Sequence, residues 1–413
     1  MMNIYSIVIF TVLIAEFALN FWADYLNLRT LSSPLPQEFN GIYDTASYQK
    51  SQAYTRVRII FGIIESAFNL IVTILFWLAG GFNFLDSLIR RLDFGMLITG
   101  LLYIGVLVLV RSILALPFSI YSTFVIEERF GFNKTTPATF TMDILKGLFL
   151  GILLGVPLLS GILAFFGYAG MFAWLYCWIA ATVFILFVQF IAPTWIMPLF
   201  NKFTPLESGE LRDSILAYAQ SVQYSLRDVY VMDGSKRSSK SNAFFTGFGK
   251  NKRIALFDTL IKKHTVEELV AVLAHEIGHY KKKHITQGIV ISIMHLGVMF
   301  YLLSIFIGQK ELHEAFFMEN ISIYAGLLFF GLLYTPIEFV LGLGMNILSR
   351  RNEFAADRFA VETIGQPETF VNALKKLSLD NLSHLTPHPL YVALNYSHPS
   401  VLDRIKAIRT MKG

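Results

Sequence analysis

Charge is scarce in this chain. Only 15% of its 413 residues are Asp, Glu, Lys or Arg, against about 25% in an ordinary soluble domain. Cysteine is nearly absent too: Cys177 stands alone, so no internal disulfide can form, and the redox compartment leaves no trace. No internal repeat, low-complexity tract or long linker is present. A net charge of +5 and a pI near 9.0 come without a basic stripe interleaved with aromatics. That excludes nucleic acid as the expected partner. A basic n-region is also missing ahead of the first apolar run, so residues 1–22 read as a span and not as a cleavable signal.

What the chain has instead is apolar length. Hydrophobic residues make up 54% and aromatic residues 15%. They gather in seven runs long enough to cross a bilayer, at 4–22, 58–80, 94–116, 147–167, 171–192, 287–308 and 322–346. Glu16, Glu65, Asn69, Arg111, Gln189, His295 and Glu338 interrupt these runs. Ionisable groups at that depth need partners or water, so the expectation is a hydrated internal cavity rather than scattered helix–helix hydrogen bonds.

The remaining polar sequence carries one motif with chemistry in it, His275-Glu276-Ile277-Gly278-His279. On a helix, positions i and i+4 share a face, so both imidazoles converge on one point. Two such nitrogens suit zinc, with a position left open for water, and Glu276 stands where a general base would. The pentapeptide alone is a moderate signal, since two surface histidines on a helix would look the same. Leu273, Ala274 and Ile277 argue against a solvated helix. Glu353, in a polar stretch at 349–357, supplies a third ligand of the right type, placed on a second helix from Arg351 to about Thr363. Asp357 lies on the same helical face as Glu353, able to orient a ligand histidine through its outer nitrogen. One zinc ion per chain is expected.

The two ligand-bearing blocks must combine. The expected division is 1–192 for the first five spans, 193–286 for the first part of the catalytic domain, 287–346 for the last two spans and 347–413 for its second part. Within 193–286 the pattern predicts a turn-rich exit from the fifth span at 198–206 and a helix near 208–223. Strands are expected at 228–232, 241–249 and 253–257. Thr265 with Glu268 three residues on marks the start of the motif helix by a capping box. The 242–248 segment reads equally as an ordinary hairpin or as an edge strand to which an extended peptide adds. Lysine and arginine crowd 193–286, whereas the N-terminus and the Glu311–Glu314 loop do not. This places the catalytic blocks in the cytoplasm and the N-terminus opposite; Arg90 and Arg91 run mildly against the rule.

The motifs at 198–206, 241–249, 275–279, 349–357 and 398–404, in that order and beside seven spans, resemble peptidase family M48, the integral-membrane CaaX prenyl proteases of the Ste24 type. The resemblance covers nearly the whole chain. It implies a mainly α, polytopic protein whose seven transmembrane helices enclose a water-filled chamber, with a gluzincin-type α+β zinc metalloprotease domain built on a small β-sheet. It implies zinc at His275, His279 and Glu353, a base at Glu276, and Asp357 as the carboxylate behind a ligand. Asn242 and Ala243 then bind substrate, and His398 and Arg404 approach the site from the C-terminus. There His398 can donate to a developing oxyanion, while Arg404 holds a substrate carbonyl or carboxylate, or pairs with Asp357 or Glu353. His264, His284, His313, His384 and His388 receive no role. The implied substrate is a prenylated CaaX peptide, cut to release its last three residues, and the implied partners are that peptide and the bilayer, around a monomer. The chain ends without the dilysine signal common in eukaryotic members, and its loop between spans six and seven is short. Both features suggest a bacterial cell-membrane relative; a eukaryotic one would sit in the endoplasmic reticulum. Quality control of unprenylated membrane proteins is the alternative activity. A transporter with structural histidines is the rival from another class.

Overall fold

A computed structural model describes residues 3–226, 228–246 and 253–411. Seven helices among them are long and apolar enough to span: Ile4–Thr30, Thr45–Leu78, Gly95–Glu127, Pro137–Tyr168, Gly170–Phe200, His284–Phe306 and Ile323–Ile364. Each coincides with one of the expected apolar runs, which overshoots its helix by at most two residues. Most extend well past it, because polar caps, not the end of the apolar run, set the limits. Asn3, Asp44 and Thr136 accept the backbone N–H three residues on, at the starts of the first, second and fourth spans. The third and fifth spans run on through π-helical turns, Ser122–Glu127 and Ala192–Ile196.

The spans form a ring. Each of the third to sixth packs on its successor in the chain, the first packs on the second, and the seventh returns to the first. The π-turn ending the third span touches the second, which closes the circuit. Asn69, Arg111, Gln189 and Glu338 remain accessible instead of sealed between helices. One end of the ring is plugged. There the short helix Gly81–Arg90 and the segment after the sixth span bring Trp77, Phe82, Phe316 and Phe329 together. Phe316 stacks on Phe329 with centroids 3.9 Å apart, and Trp77 Nε1 donates to the Ala315 carbonyl at 2.8 Å. The buried Asp86 is satisfied inside this plug by Arg90 at 2.7 Å and the Tyr324 hydroxyl.

The other end carries the α+β unit. Its sheet has four strands, β1 (Phe203–Pro205), β2 (Asp228–Met232), β3 (Ala243–Thr246) and β4 (Arg253–Phe257), in the order β1-β2-β4-β3. β2 and β4 run parallel; the two outer pairs are antiparallel. β1 was expected as turn. It is too short to show an alternating pattern, and its pairing with β2 makes it a strand. β3 occupies part of the expected 241–249 segment, whose residues 247–249 lie outside the described chain. The helix Glu210–Ser221 and the motif helix Val266–Lys281 pack together, joined by Pro367–Asp380 and Val401–Thr410. Their core includes Ile254, Leu256, Leu269, Leu273, Ile277, Phe370 and Ile405. Phe39 and Tyr43, from the connection between the first two spans, belong to the same core.

One expectation is corrected. Glu353 does not lie on a separate helix beginning at Arg351. The seventh span is a single 42-residue helix, Ile323–Ile364, ended by Gly365 at φ +70°. Polar residues at 349–352 end the apolar run but do not break a helix; the left-handed glycine cap does.

Candidate metal centre

The motif helix starts as its sequence predicts. Thr265 and Glu268 exchange side-chain-to-backbone bonds in a capping box. From there His275 and His279 fall one turn apart on the face turned to the seventh span. That span can approach because position 278 is glycine: a Cβ there would stand 3.1 Å from the Cα and carbonyl oxygen of Ala356. The close approach brings Glu353 under both imidazoles.

Three donor sets converge. His275 Nε2 lies 3.1 Å from His279 Nε2 and 3.3 Å from Glu353 Oε2, and His279 Nε2 lies 3.1 Å from Glu353 Oε1. A tetrahedral ion with ligands at 2.0–2.1 Å separates them by about 3.4 Å, so the spacing fits a metal of zinc's size. Glu353 is almost wholly buried, and its Oε2 is met only at long range, by His275 Nε2 at 3.3 Å and Arg404 Nη1 at 3.7 Å. A buried carboxylate oxygen left in that condition is costly unless a cation completes it.

The surroundings are ordered by charge. His275 Nδ1 donates to Asp357 Oδ1 at 2.8 Å, fixing Nε2 as the ligand-side nitrogen. Arg404 grips Asp357 with both prongs, Nε to Oδ2 at 2.9 Å and Nη2 to Oδ1 at 2.6 Å, and its Nη1 lies 3.7 Å from Glu353. Of the two roles expected for Arg404, this geometry places it in the pair with Asp357. Burial and the Arg404 cation press His275 towards neutrality. Hydrogen bonds to Asp357 and Glu353 outweigh them and lift its pKa to about 9. Burial raises the Glu276 carboxyl above its ordinary range, against the pull of the nearby histidines.

All of these groups except Asp357, which lies behind His275 and Arg404, line a cavity of about 570 Å³. Glu276 and His398 reach into it, and His398 Nε2 comes within 3.4 Å of Glu353 Oε1 while its Nδ1 pairs with Ser397 Oγ at 2.9 Å. Asn242 and Ala243 form another wall. β3 is the last strand of the sheet, and its Ala243 and Phe244 line the cavity. All nine residues singled out in the sequence therefore meet in one place. His284 was passed over, yet its Nδ1 stands 3.1 Å from His279 Nδ1. The only sequence signal was its place five residues after His279.

A metal-binding His–His–Glu cluster with a carboxylate beside it, hung from a ring of seven apolar helices, defines an integral-membrane metalloprotease. Comparison with known proteins agrees over the whole length. Residues 24–202 match the family model described as CAAX prenyl protease N-terminal, five membrane helices, and residues 205–412 match peptidase family M48. A CAAX prenyl protease 1 homolog of Arabidopsis thaliana is 36% identical, over 93% of each chain. One from Homo sapiens is 34% identical over 97% of this chain and 95% of its own. The CAAX prenyl protease 1 of Saccharomyces cerevisiae is 35% identical over 96% and 93%. The crystal structure of S. mikatae Ste24p superimposes with a TM-score of 0.93 at 33% identity, covering 99% of this chain and 100% of that one. The chain belongs to peptidase family M48, in its Ste24-type CaaX prenyl protease 1 branch.

Proposed function

We propose that the protein is a zinc endopeptidase that removes the C-terminal tripeptide of prenylated CaaX substrates inside the ring of spans. The carrying observation is the convergence of His275, His279 and Glu353 in one cavity that Asn242, Ala243 and Phe244 also line. The names of the relatives supply the substrate class. The donor set, two imidazoles and a carboxylate, is the usual one for catalytic zinc.

His275, His279 and Glu353 would hold the ion, which contributes Lewis acidity towards water and a peptide carbonyl. The substrate lies extended along β3, with Asn242 and Ala243 setting its register through backbone pairing. Glu276 takes the proton of the attacking water and passes it to the leaving amine. His398, whose side chain is largely exposed to the cavity, donates to the oxygen on which negative charge develops. Asp357 keeps His275 in one tautomer, and Arg404 keeps Asp357 in place. A prenyl chain gains about 0.8 kcal/mol per buried methylene, and apolar span surfaces beside the cavity provide the contact. The basic residues around the motif support a cytoplasmic position for this end. On this reading 193–286 and 347–413 form one catalytic unit, with 1–192 and 287–346 as its membrane vessel, and the protein works as a monomer.

A single assay tests the reading. Purified protein receives a farnesylated CaaX peptide and its unprenylated twin, with Glu276→Gln as control. Zinc-dependent cleavage with strong preference for the farnesylated peptide is expected. Equal cleavage of both would transfer the assignment to quality control of unprenylated proteins, and cleavage of neither by zinc-loaded enzyme would remove the CaaX substrate.

A further inference from the structure

The two histidine ligands are held differently. His275 has Asp357 behind it, the usual carboxylate partner. Behind His279 stands another imidazole, His284, with the two Nδ1 atoms 3.1 Å apart. The Nε2 of His279 faces His275 and Glu353, so its proton must sit on Nδ1 when Nε2 ligates. That N–H needs an acceptor, and the unprotonated Nδ1 of His284 is within hydrogen-bonding distance of it. We propose that His284 is the positioning residue of His279: a neutral imidazole, protonated on Nε2, that accepts from the second metal ligand and fixes its tautomer and ring angle. The proposal rests on the metal-centre reading above.

The chain takes trouble to put His284 there. Only Lys282 and Lys283 separate the motif helix from the sixth span, and Lys283 adopts φ +60°. A left-handed conformation at a lysine is strained by roughly 1 kcal/mol or more. It turns the chain so sharply that the first residue of the span points back at His279. One turn further on, Gln287 Oε1 accepts from Asn352 Nδ2 at 3.0 Å, next to Glu353. The same face of the sixth span thus touches a ligand through His284 and the ligand-bearing helix through Gln287. Charge explains why an imidazole serves better than a carboxylate. Glu276, Glu353 and Asp357 carry three negative charges, and Arg404 with a divalent ion carries three positive ones. A fourth carboxylate would leave the buried centre with an uncompensated charge, which is expensive.

Asn and Leu are nearly equal in size and differ in whether they accept a hydrogen bond. An Asn Oδ1 stands close to where the histidine Nδ1 stood. Zinc affinity is measured by chelator competition on the full-length protein for wild type, His284→Leu, His284→Asn and His275→Ala, with KM and kcat recorded alongside. His284→Leu is expected to bind zinc about 10–100-fold more weakly, with kcat falling and KM little changed. His284→Asn should recover most of the affinity. Wild-type affinity in His284→Leu, or an Asn variant as weak as the Leu variant, would overturn the proposal. Undiminished zinc binding by His275→Ala would instead overturn the metal centre itself.

Discussion

Gly278 offers the sharpest test of how the site is assembled, because a single methyl group opposes two measurable effects. In the exposed middle of a helix, Gly→Ala stabilises by about 1 kcal/mol. Here the new Cβ would meet the Ala356 Cα and carbonyl oxygen at 3.1 Å and Phe359 Cδ1 at 3.2 Å. Two of those three atoms are backbone and cannot rotate away. Relaxing to an ordinary separation of about 3.5 Å parts the motif helix from the seventh span by roughly 0.4 Å. Overpacking of this kind costs about 1–3 kcal/mol, so Gly278→Ala should be net destabilising by roughly 0–2 kcal/mol. The effect on metal should be separable from that on folding. The displaced helix carries Glu353 away from His275 and His279, whose mutual spacing is unchanged because both ride on one helix. A shift of roughly 0.4 Å uses up most of the about 0.5 Å that functional geometry tolerates, so zinc affinity should fall by up to roughly tenfold. Chelator competition and thermal unfolding, each with and without zinc, read the two effects separately. A variant with a raised melting temperature and wild-type zinc affinity would refute the close-contact argument.

Glu276→Gln should keep its zinc and lose about 10²–10⁴ in turnover, the usual worth of a general base; normal turnover would exclude Glu276 from the proton transfer. In metal-free protein His275 is raised from an ordinary 6.5 to about 9. Its protonation therefore stabilises the folded apo-protein fully below pH 6.5, and that contribution disappears as pH climbs through 9. Apo melting temperature should decline across this window while zinc affinity strengthens, because the ion must displace the proton; parallel pH trends in both would contradict the assignment. Single cysteines at Lys282 and Glu314, in a background where Cys177 is buried, should label from the cytoplasmic and the opposite face respectively. Reversed labelling would invert the proposed topology.

Much of this was legible in the residues. Seven apolar runs gave seven spans, because hydropathy is a one-dimensional property that a bilayer reads directly. The capping box at Thr265 and Glu268, and the i, i+4 histidines, were equally local and equally plain. What escaped was whatever depends on a partner far along the chain. β1 is three residues long and exists only through β2. The continuity of the seventh span across 346–353 was masked by a change from apolar to polar residues that alters the solvent and not the backbone. The role of Gly278 depends on Ala356, which lies on another helix far along the chain. His284 looked like a surface histidine because its partner is reached through a strained turn that no propensity forecasts.

The unbroken helix from Ile323 to Ile364, together with the two-residue joint into the sixth span, bears on how the molecule is born. A nascent chain that has emerged as far as Lys283 holds both histidines but no third donor. Glu353 can join them only after the sixth span has gone through the bilayer one way and the seventh has come back. A chain that inserts this hairpin wrongly leaves Glu353 on the far side of the membrane, with no metal centre and no proteolysis. Correct insertion of this hairpin is thus a precondition of the three-residue centre.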